Sequence, residues 1–230
     1  MIAPENIPDD VLLPRRRGPI LALLTAMRPK QWTKNLLLFA GLLFTLDSVH
    51  SAGDFQRTGL GFVLFSLLSS VVYLINDVAD RESDRLHPRK RRRPIATGEL
   101  SPAAALAAAG IFGVGSLAFS FFLSARFGLV ASVYFALTLL YSFHFKHVVL
   151  LDVLLLAAGF VLRAIAGAVL IDVGISPWLI LCTMMLALFL GLSKRRAEII
   201  ATQQSGAVGT RRILDEYSPE MMDQMIVIVT

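Results

Sequence analysis

The chain has 230 residues, 55% hydrophobic and only 17% charged, with a mean hydropathy of +0.65, which excludes an ordinary soluble globule. Its single cysteine, Cys182, excludes an internal disulfide framework and a cysteine-based zinc site and reads as a free thiol in a core. The net charge of +5 does not point to nucleic acid, because the basic residues stand between hydrophobic blocks instead of along one face.

Residues 1–17 are polar and proline-bearing and carry the cluster Arg15, Arg16, Arg17. No apolar core with a small-residue cleavage site follows closely, so the segment reads as a disordered cytosolic tail, not a signal peptide. Residues 18–230 read as one membrane domain. Ile20 to Met27 is apolar and precedes Arg28, Lys30 and Lys34 around Trp32, a pattern that suits a surface-lying helix or an extension of the first span.

A bilayer core takes about 20 apolar residues as a helix, since every backbone polar group must be satisfied within the segment. Asn35–Leu46 is a short candidate. Thr58–Ile75, Ala103–Ala125, Phe127–Phe145, Val148–Ile171 and Val173–Ser193 are full candidates, charged only at Asp152 and Arg163. A seventh begins near Pro219, where MMDQMIVIVT turns apolar. The expectation is an all-α, polytopic transmembrane helical bundle of six spans and the start of a seventh, incomplete at its C-terminus and poorly active alone. Assigning alternate connections to opposite sides puts all of the 22 Lys and Arg on one side except Arg57, Arg126 and the intramembrane Arg163. That side is cytoplasmic by the positive-inside rule, in a cell membrane, with the N-terminus and the reactive polar residues there.

The second span ends as YLINDVADRESDRLHPRKRRRPIATGELSP. In one continuous helical register Asp77, Asp80 and Asp84 share a face, with Asn76 beneath Asp80. Like charges so placed repel and need a compensating partner. A divalent cation is the obvious one, and hard oxygen ligands suit magnesium, which keeps water and substrate phosphate oxygens in its other positions. The run Arg89 to Arg93 can then meet phosphate. The plain alternative is a solvated helix end in which the acids pair with Arg81, Arg85 and the basic run.

NDxxDxxxD at the end of a membrane helix, followed by HPxKxxRPIxxG and preceded by RPKQWTKN at Arg28 to Asn35, resembles the UbiA-type superfamily of intramembrane prenyltransferases over most of the chain. The resemblance implies nine helices around a lateral cavity, diphosphate held through Mg2+ by the first acidic motif, and a second DxxxD motif near the sixth and seventh helices. At that place stands LSKRRAEI, with Lys194, Arg195 and Glu198, which weighs against a prenyl diphosphate donor. KRxxE, RPxQWxKN and the stretch from YSFHFKH to LRAIAG are similar to the decaprenyl-phosphate phosphoribosyltransferase branch. That resemblance implies transfer of 5-phosphoribose from 5-phosphoribose 1-diphosphate to a polyprenyl phosphate, with release of diphosphate.

The remaining polar positions fit such a site without fixing it. Lys194 and Arg195 can hold additional phosphate, as a mobile point charge and a bidentate fork. Glu198 is an intrahelical partner of Lys194 or a ligand of a sugar hydroxyl or metal-bound water. Arg163 must face protein or a wet cavity. Asp152, eleven residues earlier, is too far along the helix to pair with it directly, so Arg163 binds phosphate or a structural partner. Arg28 and Lys34 are snorkelling interface residues or close over a phosphate. Tyr141 and Lys146 mark the cytosolic end of the fourth span. His144 and His147 lack zinc-site spacing. The small residues of AIAGA and AAALAAAG suit close helix packing, with no Walker or GxGxxG pattern beside them. Two rivals stand beside this function: a UbiA-like enzyme passing a prenyl group to an aromatic or other small acceptor, and a non-catalytic transporter or scaffold.

Overall fold

Proline at a first helical position fixes φ where an N–H has no intrahelical partner anyway, and Pro19, preceded by the extended Gly18, starts α1 (Pro19–Ala26) in this way. The computed structural model describes residues 17–45, 50–205 and 217–230. The expected tail is outside this range except for Arg17. The helix stops at Arg28, whose following proline bars the right-handed helical region and which adopts φ 55°, ψ 61°. Beyond it the chain winds as a 3₁₀ helix over Pro29–Phe39 and relaxes into the short α2 (Ala40–Leu43). The first expected span is therefore a broken, tightly wound segment joined to α1 by a strained residue. Leu46, its expected end, is outside the described residues.

Helix α3 (Ala52–Ala79) begins six residues before its apolar run because Ser51 and Asp54 form a reciprocal capping box. Short elements follow: α4 (Arg81–Leu86), a 3₁₀ turn at Lys90–Arg92, and α5 (Pro94–Thr97), stopped by Gly98 at φ 83°. Then come α6 (Pro102–Leu123), α7 (Ala125–Phe143), α8 (Leu151–Leu170), α9 (Pro177–Ser205) and α10 (Pro219–Val229). No strand occurs among the described residues.

Among the described residues five helices, α3, α6, α7, α8 and α9, are long and apolar enough to cross a bilayer, and the chain is a multi-pass membrane protein. In α3 and α8, 61% and 56% of the most apolar stretch is buried, against 22%, 28% and 11% in α6, α7 and α9. The first two are therefore the interior helices, and the other three turn side chains such as Ile111, Phe122, Leu129 and Leu186 outward. Phe65, Leu68, Phe127, Tyr134 and Leu170 pack where α3, α7 and α8 meet. Cys182 is exposed on α9, not in a core, because α9 presents most of its apolar face outward.

The small residues of AIAGA do permit close packing. A Cβ on Gly167 would lie 1.8 Å from the Leu38 carbonyl oxygen, and one on Gly41 would lie 3.1 Å from Ala168 Cα. The 3₁₀ segment is thereby pressed against α8. Gly167→Ala is expected to destabilise the protein by about 1–3 kcal/mol or more, seen as a lowered melting temperature in detergent. Gly110→Ala, where a Cβ meets nothing within 4 Å, should not lower it.

Candidate functional site

The last turn of α3 and the single long turn of α4 carry the acidic motif. Hydrogen bonds from Asp80 N to Asn76 O and from Asp84 N to Asp80 O, both 2.8 Å, continue the helical pattern across the joint. Asp80 itself leaves helical geometry at ψ 3°. Asp77 and Asp84 are buried, at 2% and 1% exposure, while Asp80 is half-buried. The register expected for the three acids is thus carried across one non-helical residue, Asp80, which divides α3 from α4.

Arginines draw the two buried carboxylates together. Arg93, held at the start of α5 by Pro94, donates from Nη1 to Asp84 Oδ2 at 2.5 Å and to Asp77 Oδ1 at 3.1 Å. Arg28 Nη2 donates to the same Asp77 oxygen at 2.5 Å, and its guanidinium lies 4.6 Å above the Tyr73 ring. Asp77 Oδ2 and Asp84 Oδ1 are buried without any partner, and a buried lone oxygen is costly unless something binds it. Among the described residues no three acidic, histidine or cysteine side chains are close enough to hold an ion. The expected convergence of three carboxylates is therefore corrected to two, because Asp80 stands half-buried at the joint, outside the pair that Arg93 bridges. Two hard oxygens left open fit a cation that takes few protein ligands and keeps water and phosphate in its other positions.

Beside this end opens a cleft of about 180 Å³ between α3, α7, α8 and the 3₁₀ segment, lined by Asn76, Tyr141, Lys34 and Arg163 among others. Asn76 Nδ2 donates to Ser142 Oγ at 2.9 Å, which fixes the amide at the cleft wall. Arg163 is 9% exposed. It donates from Nε to Asn35 Oδ1 and from Nη2 to Tyr134 Oη, both at 2.8 Å, and its guanidinium stacks on the Tyr134 ring at 4.8 Å. Asn35 in turn donates to Ser66 Oγ, and Tyr134 shares a hydrogen bond with Ser69. Among the described residues the hydrogen bonds of this cation go to neutral groups, so its charge is held in place without being cancelled. Burial first, then Arg163, Lys194 and Arg28, hold the Lys34 ammonium below its ordinary pKa. The excess positive charge of the cleft is carried by Lys34 and Arg163 in its lining.

A second buried cluster lies at the start of α8. Leu150 takes φ 66°, and its N–H donates to Tyr217 Oη at 2.7 Å. Tyr217 Oη donates to Asp152 Oδ1 at 2.8 Å. Asp152 also receives Arg195 Nε at 2.7 Å, and Arg195 Nη1 reaches Glu198 at 2.7 Å. Lys194 is largely exposed and pairs with Glu198 at 3.9 Å. Arg195, expected to face phosphate, is 3% exposed and closed within ion pairs; Asp152, whose own helix offers it no cation in reach, claims it.

The structure therefore brings Arg28, Asn76, Asp77, Asp84 and Arg93 to one end and Lys34, Tyr141 and Arg163 into the adjoining cleft. Lys146 stands at the 3₁₀ turn Phe145–His147 between α7 and α8. Sequence reasoning missed Tyr134 and Ser69 as supports of Arg163, and Tyr217 as a support of Asp152. A usable signal was present: Ser66, Ser69 and Ser70 recur at helical spacing inside an apolar span, the pattern of an interior polar stripe.

The sequence model of the UbiA prenyltransferase family matches residues 35–195. A decaprenyl-phosphate phosphoribosyltransferase of Mycolicibacterium smegmatis is 40% identical over 202 residues, which are 86% of this chain and 63% of that protein. One from Mycobacterium tuberculosis is 36% identical over 91% of this chain and 70% of its own length. A UbiA homolog from Archaeoglobus fulgidus, solved with DMAPP and Mg2+ bound, has a TM-score of 0.72 at 21% identity over 90% of this chain and 73% of its own. The chain belongs to the UbiA prenyltransferase family, and it spans about 63% of the length of the first of these relatives.

Proposed function

We propose that the protein transfers 5-phosphoribose from 5-phosphoribose 1-diphosphate to a polyprenyl phosphate of decaprenyl type, releasing diphosphate, at the cytoplasmic face of the plasma membrane. The observation that carries this reading is the uncancelled positive charge of the cleft. Arg163 is buried on neutral partners only, and Lys34 adds a second cation to the lining of the same cleft. A donor with both a 1-diphosphate and a 5-phosphate, meeting a lipid phosphate, supplies the anionic groups such a cleft needs. The relatives named for this reaction support it, and so does Lys194 with Arg195 where a second aspartate pair would stand.

In the proposed reaction the bond between the anomeric carbon and the diphosphate oxygen breaks, and the diphosphate leaves with its electron pair. A lipid phosphate oxygen forms the new bond to that carbon. This oxygen is already anionic near neutral pH, so no side chain has to take a proton from it. Asp77 and Asp84, with Asp80 and Asn76 beside them, would hold Mg2+, which would neutralise charge building on the departing diphosphate. Arg28, Arg93 and Lys34 face the diphosphate. Arg163, fixed by Asn35 and Tyr134, orients a second phosphate, with Tyr141 and Lys146 at the mouth. Arg195 acts through position, locking α9 to α8 so that Lys194 and Glu198 are presented at the entrance.

The test is radiolabel transfer in membranes containing the full-length gene product. Label from 5-phosphoribose 1-diphosphate should enter the lipid extract only when polyprenyl phosphate is supplied. Transfer from a prenyl diphosphate to an aromatic acceptor, with none from the phosphoribosyl donor, would replace this reading by the prenyl one.

A further inference from the structure

We infer that Arg28 and Arg93 are exchangeable counter-ions of Asp77 and Asp84, so that metal and diphosphate are taken up together and neither is held well alone. The inference rests on the reading that these carboxylates take a divalent cation beside a diphosphate.

The two guanidinium groups cancel the two carboxylates in a site that is nearly dry at its base. Arg93 bridges the pair, standing between Asp77 and Asp84 where a cation shared by both would also stand. The carboxylate oxygens turned away from the arginines have no partner. In a poorly solvated site an unbalanced charge is expensive. A divalent cation that displaces the arginines keeps the carboxylates neutral but strands two positive side chains, unless an anion arrives for them. A diphosphate arriving first meets arginines already spent on the carboxylates. Each ligand therefore removes the obstacle to the other, and by linkage each raises the other's affinity by the same factor.

The mobility needed is unequal in the right sense. The side chains of Arg28 and Arg93 are 29% and 25% exposed, against 2% and 1% for Asp77 and Asp84. Arginine arms at the water side can turn while the acids stay fixed. Arg28 already rests on Tyr73, a cleft-lining residue, so a short swing carries its guanidinium from carboxylate to cleft. Its left-handed backbone, φ 55°, places it at that corner.

Manganese, as a spin-active substitute for magnesium, reports this directly. Mn2+ binding to the membrane-reconstituted protein is measured by electron paramagnetic resonance with and without inorganic diphosphate. In the unaltered protein, diphosphate should raise Mn2+ affinity by at least about fivefold, within the usual range for coupled sites. In Arg93→Gln, Mn2+ alone should bind at least about fivefold more tightly and the gain from diphosphate should shrink by a similar factor. If Arg93 is a bystander cation, its removal changes both affinities but leaves the gain as large as before, and that result overturns the inference. Should Arg93→Gln fold poorly, thermal unfolding decides: stabilisation by Mn2+ greater than in the unaltered protein supports the exchange, and failure to recover at saturating Mn2+ overturns it. None of these readings uses phosphoribosyl transfer, so a failed transfer assay with the coupling intact removes the proposed reaction and not this device.

Discussion

Asp84→Asn is expected to lower phosphoribosyl transfer by at least about a hundredfold, the scale of losing one fixed electrostatic group at a reacting phosphate, and Asp77→Asn should match it. Both side chains are buried, both are tied by Arg93, and each has an oxygen with no protein partner. An amide keeps the shape but gives up the charge that would hold a cation and answer the arginine. Removing one member of a buried ion pair costs about 3–5 kcal/mol by itself, so activity must be compared at matched amounts of folded protein. Asp80→Asn, at the half-buried joint between α3 and α4, should show a smaller loss. Initial rates in membranes across a magnesium titration separate the two effects. Loss of a ligand moves the magnesium requirement upward, whereas a purely structural loss lowers the amount of folded protein and leaves the requirement unchanged.

Arg163→Gln should remove most turnover, again by about a hundredfold or more, with little loss of fold. Its partners Asn35 and Tyr134 are neutral, and Tyr134 keeps its hydrogen bond with Ser69. Removing Arg163 therefore strands no opposite charge. Arg163→Lys retains a charge but cannot span Asn35 and Tyr134 as the planar fork does, and an intermediate loss is expected, chiefly in KM for the anionic substrate. The check is the split between kcat and KM together with a melting curve. A drop in melting temperature with unchanged kinetics would make Arg163 a structural residue only.

The alternation of long apolar blocks with basic connections was enough to establish an all-helical membrane bundle, because span length and charge asymmetry are dictated by the bilayer itself. α3 and α6 to α9 overlap the blocks read from composition. The first span was harder. Pro29 is visible in the sequence, but the eleven-residue 3₁₀ winding beyond it depends on Leu38 pressing into the gap at Gly167, a tertiary contact that local pattern does not encode. The acidic motif was readable for the same reason that its geometry was not. Periodicity puts Asp77 and Asp84 on one face, yet only the folded loop returns Arg93 between them. Arg163 was recognised as needing a partner, and helical rise excluded Asp152. The actual partners, Asn35 and Tyr134, come from segments 128 and 29 residues away, beyond any spacing rule. The burial of Arg195 is not legible in the sequence because Asp152, itself held by Tyr217, reaches it from another helix.

Phosphoribosyl transfer by this protein is predicted to require both the buried carboxylates and a divalent cation. Membranes containing the full-length gene product, stripped with a chelator and supplied with labelled 5-phosphoribose 1-diphosphate and polyprenyl phosphate, measure it directly. The predicted result is no label in the lipid extract until magnesium is restored, and then label in the unaltered protein but not in Asp77→Asn. Label appearing at an undiminished rate in the chelated sample, or equally in both proteins after magnesium is restored, would contradict it.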